Sequence, residues 1–208
     1  LPETKIKTLV IDCLQVLFTR SYSEEIDFNE VTGAIFQTEG LSMLLQLFKS
    51  IQLDPDDIDE VKYTLLKKLV EMIVGLSECI QTNDSNYKFK LPPTADISNY
   101  LKLVLETTKH ESLVISSLSL QFWCSMLRID ELSNKPEFEQ IMPDLLESSA
   151  NRLINYTDYD EEYSVKKFLE IDFESQPEAS TFLNNYKKMT DDIVRIIICK
   201  KPSDSLQW

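Results

Sequence analysis

The chain has 208 residues, 43% of them hydrophobic, so it can bury a substantial core and general disorder is excluded. Only three glycines occur, Gly33, Gly40 and Gly75, against a usual share of about 7%. Tight hairpins and phosphate-cradling loops need backbone positions that glycine fills, so this poverty argues against barrels, sandwiches and dinucleotide-binding folds. A formal charge of −14 argues against a broad nucleic-acid grip, which depends on clustered Lys and Arg, and favours basic protein partners or simple solvation.

Helical periodicity organises the chain from its start. Ile6, Leu9, Val10, Cys13, Leu14, Leu17 and Phe18 recur at i, i+3, i+4 and i+7, which predicts a first helix. A second, broken near Gly40, is expected over 25–51, with Leu41, Leu44, Leu45 and Phe48 on its apolar face. Asp54 as cap and Pro55 in the first turn predict a third, with Ile58, Val61, Leu65, Leu69, Ile73, Leu76 and Ile80 on its apolar face. The stretch 82–93, ending in Pro92-Pro93, is expected to be an irregular loop.

A fourth helix is expected over 95–109. The fifth, over 112–128, is apolar on several sides and must be covered on more than one face. A sixth is expected over 135–156, with a kink or restart at Pro143. The region 158–177 is expected to be a second irregular insertion, because Phe168 to Phe173 alternate polar and apolar in the manner of a lone extended segment. The last helix is expected over 178–200. About seven helices, one needing cover all round, describe an all-α α-solenoid of stacked hairpins, with a closed bundle as the alternative. Residues 1–208 are expected to form one continuous helical-repeat segment, an excerpt of a longer solenoid.

The chemistry-bearing residues are sparse. Cys13, Cys79, Cys124 and Cys199 sit far apart in apolar stretches, without a CxxC pair, and are expected to be buried free thiols. His110 is the single histidine and is expected to serve a helix junction. Nothing matches a nucleophile–base arrangement or a phosphate-binding loop, so no catalytic, cofactor-binding or metal-ligating residue is expected. There is no run of about 18 apolar residues, so membrane insertion is not expected.

Two acidic clusters stand out. That from Asp54 to Glu60 suits a helix start. That formed by Asp158, Asp160, Glu161 and Glu162 suits either a solvated loop or contact with a basic partner. Basic pairs occur at Lys67-Lys68, Lys166-Lys167, Lys187-Lys188 and Lys200-Lys201, with Arg152 nearby as a further cation. Of these, Lys166, Lys167, Lys187 and Lys188 are the candidate contacts for an anionic cargo.

From Leu118 to Trp208 the chain resembles the exportin-5 branch of the karyopherin-β nuclear transport receptors. The residues that carry this are Leu120-Gln121-Phe122-Trp123 with Met126-Leu127-Arg128, and Leu132-Ser133-Asn134-Lys135-Pro136 followed by Ile141 to Leu146. Ile171 to Ser175, Phe182, Tyr186, Val194-Arg195 and Ser205 to Trp208 continue it. The resemblance implies HEAT repeats, binding of Ran-GTP, passage through nuclear pores by contact with pore proteins, and shuttling between nucleus and cytoplasm. Within that branch, the acidity of the chain and the looser fit of residues 1–117 favour a fungal type carrying phosphorylated protein cargo over an animal type carrying RNA hairpins. An importin and a static HEAT or armadillo scaffold share the same helices and remain the alternatives.

Overall fold

A computed structural model describes residues 3–19, 33–77, 80, 94–154 and 163–205. Its regular structure is helical throughout those residues: α1 (Glu3–Thr19), α2 (Thr38–Ser50), α3 (Glu60–Gly75), α4 (Ile97–Thr108), α5 (Leu113–Leu127), α6 (Asp130–Ser133), α7 (Pro136–Ile154), α8 (Tyr163–Asp172), α9 (Gln176–Lys200) and α10 (Pro202–Ser205). α6 and α10 are single turns. The chain divides into two compact units, Leu1–Val104 and Leu105–Trp208.

In the first unit, the Lys68 ammonium of α3 donates to both carboxylate oxygens of Asp12 on α1, at 2.7 and 2.8 Å. The first turns of the same two helices share a groove lined by Lys5, Thr8, Leu9, Glu60, Val61 and Thr64. Start meets start and middle meets middle, so α1 and α3 run parallel. α4 opposes α3, because the Tyr100 hydroxyl in its first turn donates to the Ile73 carbonyl near the end of α3, at 2.9 Å. Phe36 packs on Tyr100 at 5.2 Å between ring centres, and the Thr38 hydroxyl donates to the Asp96 carboxylate.

The second unit repeats this logic. The Ser116 and Tyr186 hydroxyls are 2.9 Å apart, and farther along both helices Arg128 pairs with Asp192 at 2.8 Å, so α5 and α9 run parallel. α7 opposes both. Lys201, just past the end of α9, reaches Glu139 in the first turn of α7, and Arg152 near the end of α7 reaches the residues that precede α5. Thus α1 and α3 run side by side in one direction with α4 opposed to α3, and α5 and α9 run side by side with α7 opposed to both. That is the packing of stacked helical hairpins in a HEAT-like solenoid segment.

α5 explains why such packing is needed. Leu113, Ile115, Leu120, Phe122, Trp123, Met126 and Leu127 are all buried, as are Ser116 and Ser119. Its small hydroxyls are matched internally: Ser116 donates to the Thr108 carbonyl at 2.6 Å, and Ser119 meets Thr107 at 2.6 Å. Paired in this way, they avoid the cost of an unmade hydrogen bond in the core.

Several expectations need correction. Residues 163–172 form a helix, not an extended insertion: Val165 and Phe168 are buried three positions apart on its inner face, a spacing that belongs to a 3.6-residue period. α3 starts at Glu60 and not at Pro55. Asp59 is the cap, its carboxylate accepting from the Val61 and Lys62 amides at 3.0 and 3.1 Å, while Asp54 closes a turn onto Asp56. α7 runs unbroken through Pro143, held by Met142 and Leu145, both fully buried. Of the thiols, Cys124 is buried, which pushes its pKa up, but Cys13 and Cys199 are exposed. Residues 82–93, Cys79 and the four acidic candidates at 158, 160, 161 and 162 lie outside the described residues.

Two glycines are expected to respond to alanine with opposite signs. A methyl on Gly40 would meet the Ala34 and Ile35 carbonyl oxygens at 2.5 and 2.7 Å, backbone atoms that cannot swing aside. Gly40→Ala is therefore expected to cost about 1–3 kcal/mol despite alanine's better helix propensity. Gly75→Ala, whose methyl meets nothing within 4 Å, is expected to gain about 0.5–1 kcal/mol. Thermal unfolding of the two variants checks this, and two shifts of the same sign would refute it.

Candidate functional site

The helix junction at residues 108–112 is the most elaborated polar feature of the second unit. α4 ends at Thr108, leaving carbonyls with no partner within the helix. The Lys109 and His110 amides and the Ser116 hydroxyl take those carbonyls up, and Arg152 on α7 holds the turn that follows, its Nη2 donating to the Lys109 and His110 carbonyls at 3.1 and 2.8 Å. A cation at a helix C-terminus also opposes the negative end of the dipole. His110 Nδ1 accepts from the Ser112 amide at 3.0 Å, and its ring meets Phe168 edge-on at 6.0 Å. Ser112 in turn caps α5 by accepting from the Ile115 amide.

Burial of His110, with the nearby Arg152 charge adding to it, pulls its pKa down to about 4. The imidazole is thus neutral at physiological pH and committed to the junction, the role its sequence position indicates. Behind it the indole of Trp123 donates to the Thr108 hydroxyl at 2.9 Å. Burial also pushes the Tyr186 hydroxyl up, which keeps it protonated and able to bond Ser116.

A cleft of about 300 Å³ opens beside this junction, with Lys109, Glu111, Ser148, Asn151, Arg152 and Thr190 in its wall. Its charges are of both signs, and the Thr190 hydroxyl is spent on the Tyr186 carbonyl. Such a wall selects no single ligand class.

The basic pairs fare unevenly. Lys68 is paired with Asp12, Lys200 with Asp130 and Lys201 with Glu139, each at 2.6 or 2.7 Å, and Lys67 sits 4.2 Å from the centre of the Tyr63 ring. Lys68, Lys200 and Lys201 thus link separate helices, whereas Lys67 and Tyr63 share α3. Arg152, grouped with them on sequence grounds, is the junction clamp. No residue pattern foretold that use, because the carbonyls it caps belong to a junction 42 or 43 residues away. Of the four cargo candidates, Lys167 lies 3.5 Å from Glu170 on its own helix. Lys166 and Lys188 are exposed with no ion pair among the described residues, and Lys187 is exposed too. The two pairs ride on different helices, α8 and α9. Around them Asp191 pairs with Arg195 and Asp192 with Arg128, which fixes the local carboxylates. No described helix is long and apolar enough to cross a membrane.

Comparison with known proteins places this helical array in context. Residues 60–208 match the Exportin-5 family. Protein MSN5 of Saccharomyces cerevisiae is 37% identical over 206 residues, which cover 98% of this chain and 16% of that protein. An uncharacterized protein of Schizosaccharomyces pombe is 31% identical over 211 residues, covering 98% of this chain and 17% of that protein. Exportin-5 of Dictyostelium discoideum is 26% identical over 153 residues, covering 73% of this chain and 13% of that protein. The chain therefore spans about a sixth of the length of the two fungal relatives.

Proposed function

The chain belongs to the Exportin-5 family of nuclear export receptors, and on that premise we propose that it is one segment of a receptor that binds cargo cooperatively with Ran-GTP and carries it from nucleus to cytoplasm. The observation that carries the reading is the family match over residues 60–208. The fungal type fits, since the likeness to the Saccharomyces protein extends over 98% of the chain at 37% identity. Phosphorylated proteins are then the cargo class, with nuclear pore proteins as transit partners and shuttling between the two compartments as the behaviour.

Binding alone can perform this task. Two ligands that each favour the same curvature of a solenoid help one another, and a coupling of about 1–3 kcal/mol changes affinity roughly 5- to 150-fold. Hydrolysis of GTP on Ran in the cytoplasm withdraws that help and releases cargo. The reacting groups belong to Ran, so the receptor itself contributes shape and charge.

Lys166, Lys167, Lys187 and Lys188 are the proposed contacts for anionic groups on the cargo, and the acidic stretch Asp158, Asp160, Glu161 and Glu162 is the proposed contact for a basic partner. Reversing the charge of all four lysines in the full-length protein is expected to weaken phosphorylated cargo by about tenfold or more, while leaving Ran-GTP affinity intact. Unchanged cargo affinity would remove these residues from the site. The export reading itself is tested by rapid depletion of the full-length protein in its own cells. A fluorescent cargo that then accumulates in the nucleus supports it, and loss of nuclear cargo would indicate import instead.

A further inference from the structure

Two of the four basic pairs are followed, after one residue, by a hydroxyl: Lys187-Lys188-Met189-Thr190 and Lys200-Lys201-Pro202-Ser203. Kinases that take basic residues two and three positions before the acceptor read this spacing, because carboxylates in their peptide groove pair with both cations. The structure separates the two matches. Thr190 lies inside α9, a helix of 25 residues, is 1% exposed and spends its hydroxyl on the Tyr186 carbonyl at 2.9 Å. Ser203 lies past the end of that helix and is exposed, and its hydroxyl has no hydrogen bond among the described residues. At Lys201 the backbone leaves the helical region, with φ −132° and ψ 61°, and the single turn of α10 that follows buries none of its residues. Such a segment opens locally at less cost than the middle of a long helix, and a kinase needs its acceptor strip open.

We propose that Ser203 is a phosphorylation site for a kinase of this basic-directed class, and that the phosphate unlatches the end of α9 from α6 and the start of α7. The Ser203 oxygen bonds the γ-phosphorus of ATP as the bond from that phosphorus to the bridging oxygen breaks. The hydroxyl proton passes to the kinase's base, and ADP departs. The latch is a pair of ion pairs: Lys200 with Asp130 at the start of α6, and Lys201 with Glu139 in the first turn of α7, both at 2.6 Å. Asp130 is 84% exposed and Glu139 41%, so water and salt weaken both pairs and neither resists a stronger competitor. A phosphoserine two and three residues from those ammoniums brings about 1.5 to 2 negative charges and three acceptor oxygens, more than a single carboxylate offers. It draws the lysines off Asp130 and Glu139. The site stands independently of whether Ran or any cargo binds.

The test incubates native full-length protein with magnesium ATP and the catalytic subunit of cyclic-AMP-dependent protein kinase, and locates the phosphate by mass spectrometry. Ser203 is expected to be labelled at least about tenfold faster than Thr190. Lys201→Gln is expected to slow that labelling by about tenfold, through loss of a cation the kinase holds. Glu139→Gln, which frees Lys201 for the kinase, is expected to quicken it about two- to fivefold. Protein purified from its own cells is expected to carry the same phosphate, and Ser203→Ala to remove it. In the phosphorylated protein, the amides of the last turn of α9 are expected to exchange hydrogen at least about threefold faster, with kinase-treated Ser203→Ala unchanged. Ser203 left unlabelled in the native chain, or Thr190 labelled first, would overturn the site. So would cellular protein that never carries the phosphate in growing, starved or stressed cultures. Labelled Ser203 with α9 exchange unchanged would overturn the unlatching.

Discussion

Trp123→Ala is expected to destabilise the second unit by about 3–5 kcal/mol, the largest effect of any single substitution considered. Trp123 is fully buried in α5, stacks edge-on against Phe122 at 4.8 Å and donates its indole hydrogen to Thr108 at 2.9 Å. Alanine removes the ring, opens a cavity that close-packed helices refill only in part, and takes away the hydrogen bond that ties α5 to the end of α4. Trp123→Phe keeps most of the volume and loses the bond, so a smaller cost of about 1–2 kcal/mol is expected. Native-state hydrogen exchange of the α5 amides in the full-length protein reads both changes locally. A loss below about 1 kcal/mol for the alanine variant would contradict this account of the core.

Acid is expected to weaken the same unit through His110. Its folded pKa, about 4, lies below the ordinary value of 6.5, because burial and the Arg152 charge oppose a second positive charge. Above pH 6.5 neither state takes up the proton and the stabilisation is complete. Between 6.5 and 4 the unfolded chain is protonated and the folded one resists, so stability falls as pH falls through that window. The full loss amounts to about 3 kcal/mol, as one pKa unit corresponds to about 1.4 kcal/mol. His110→Gln, whose amide oxygen can replace Nδ1 as acceptor for the Ser112 amide, is expected to flatten the pH dependence over that range. An unchanged slope in the variant would show that other groups carry it.

Much of the fold was legible because apolar residues recur at helical spacing wherever a helix packs on a neighbour. α4, α5 and α9 follow that spacing closely, and the all-round apolarity of α5 foretold its burial on several faces. α8 escaped notice because Phe168 to Phe173 alternate, and over so short a run a period of two masks one of 3.6. Val165 and Phe168, one turn apart, were the usable signal. The start of α3 was misplaced because five acidic residues crowd between Asp54 and Glu60, and several of them suit a cap. Tertiary placement chose Asp59. Pro143 shows the converse, a local breaker overridden by buried neighbours on both sides.

The site was less legible than the fold. A lysine on a helix surface looks the same in sequence whether it binds a ligand, solvent or a carboxylate from another helix. Lys200 and Lys201 reach Asp130 and Glu139, about 60 to 70 residues away in the chain. Such pairing is invisible until the helices are stacked, and of the four cargo candidates it leaves Lys166 and Lys188 exposed without an ion pair among the described residues. The role of Arg152 as a clamp on the Lys109 and His110 carbonyls is equally a product of tertiary structure.

The most direct test is the affinity of the full-length protein for a phosphorylated nuclear protein, and separately for a short RNA hairpin, with and without GTP-locked Ran. Ran-GTP is expected to tighten the phosphoprotein roughly 5- to 150-fold and to leave the hairpin weak. Weakening of the protein cargo by Ran-GTP would make this an importer, and absence of Ran binding would contradict the transport account altogether.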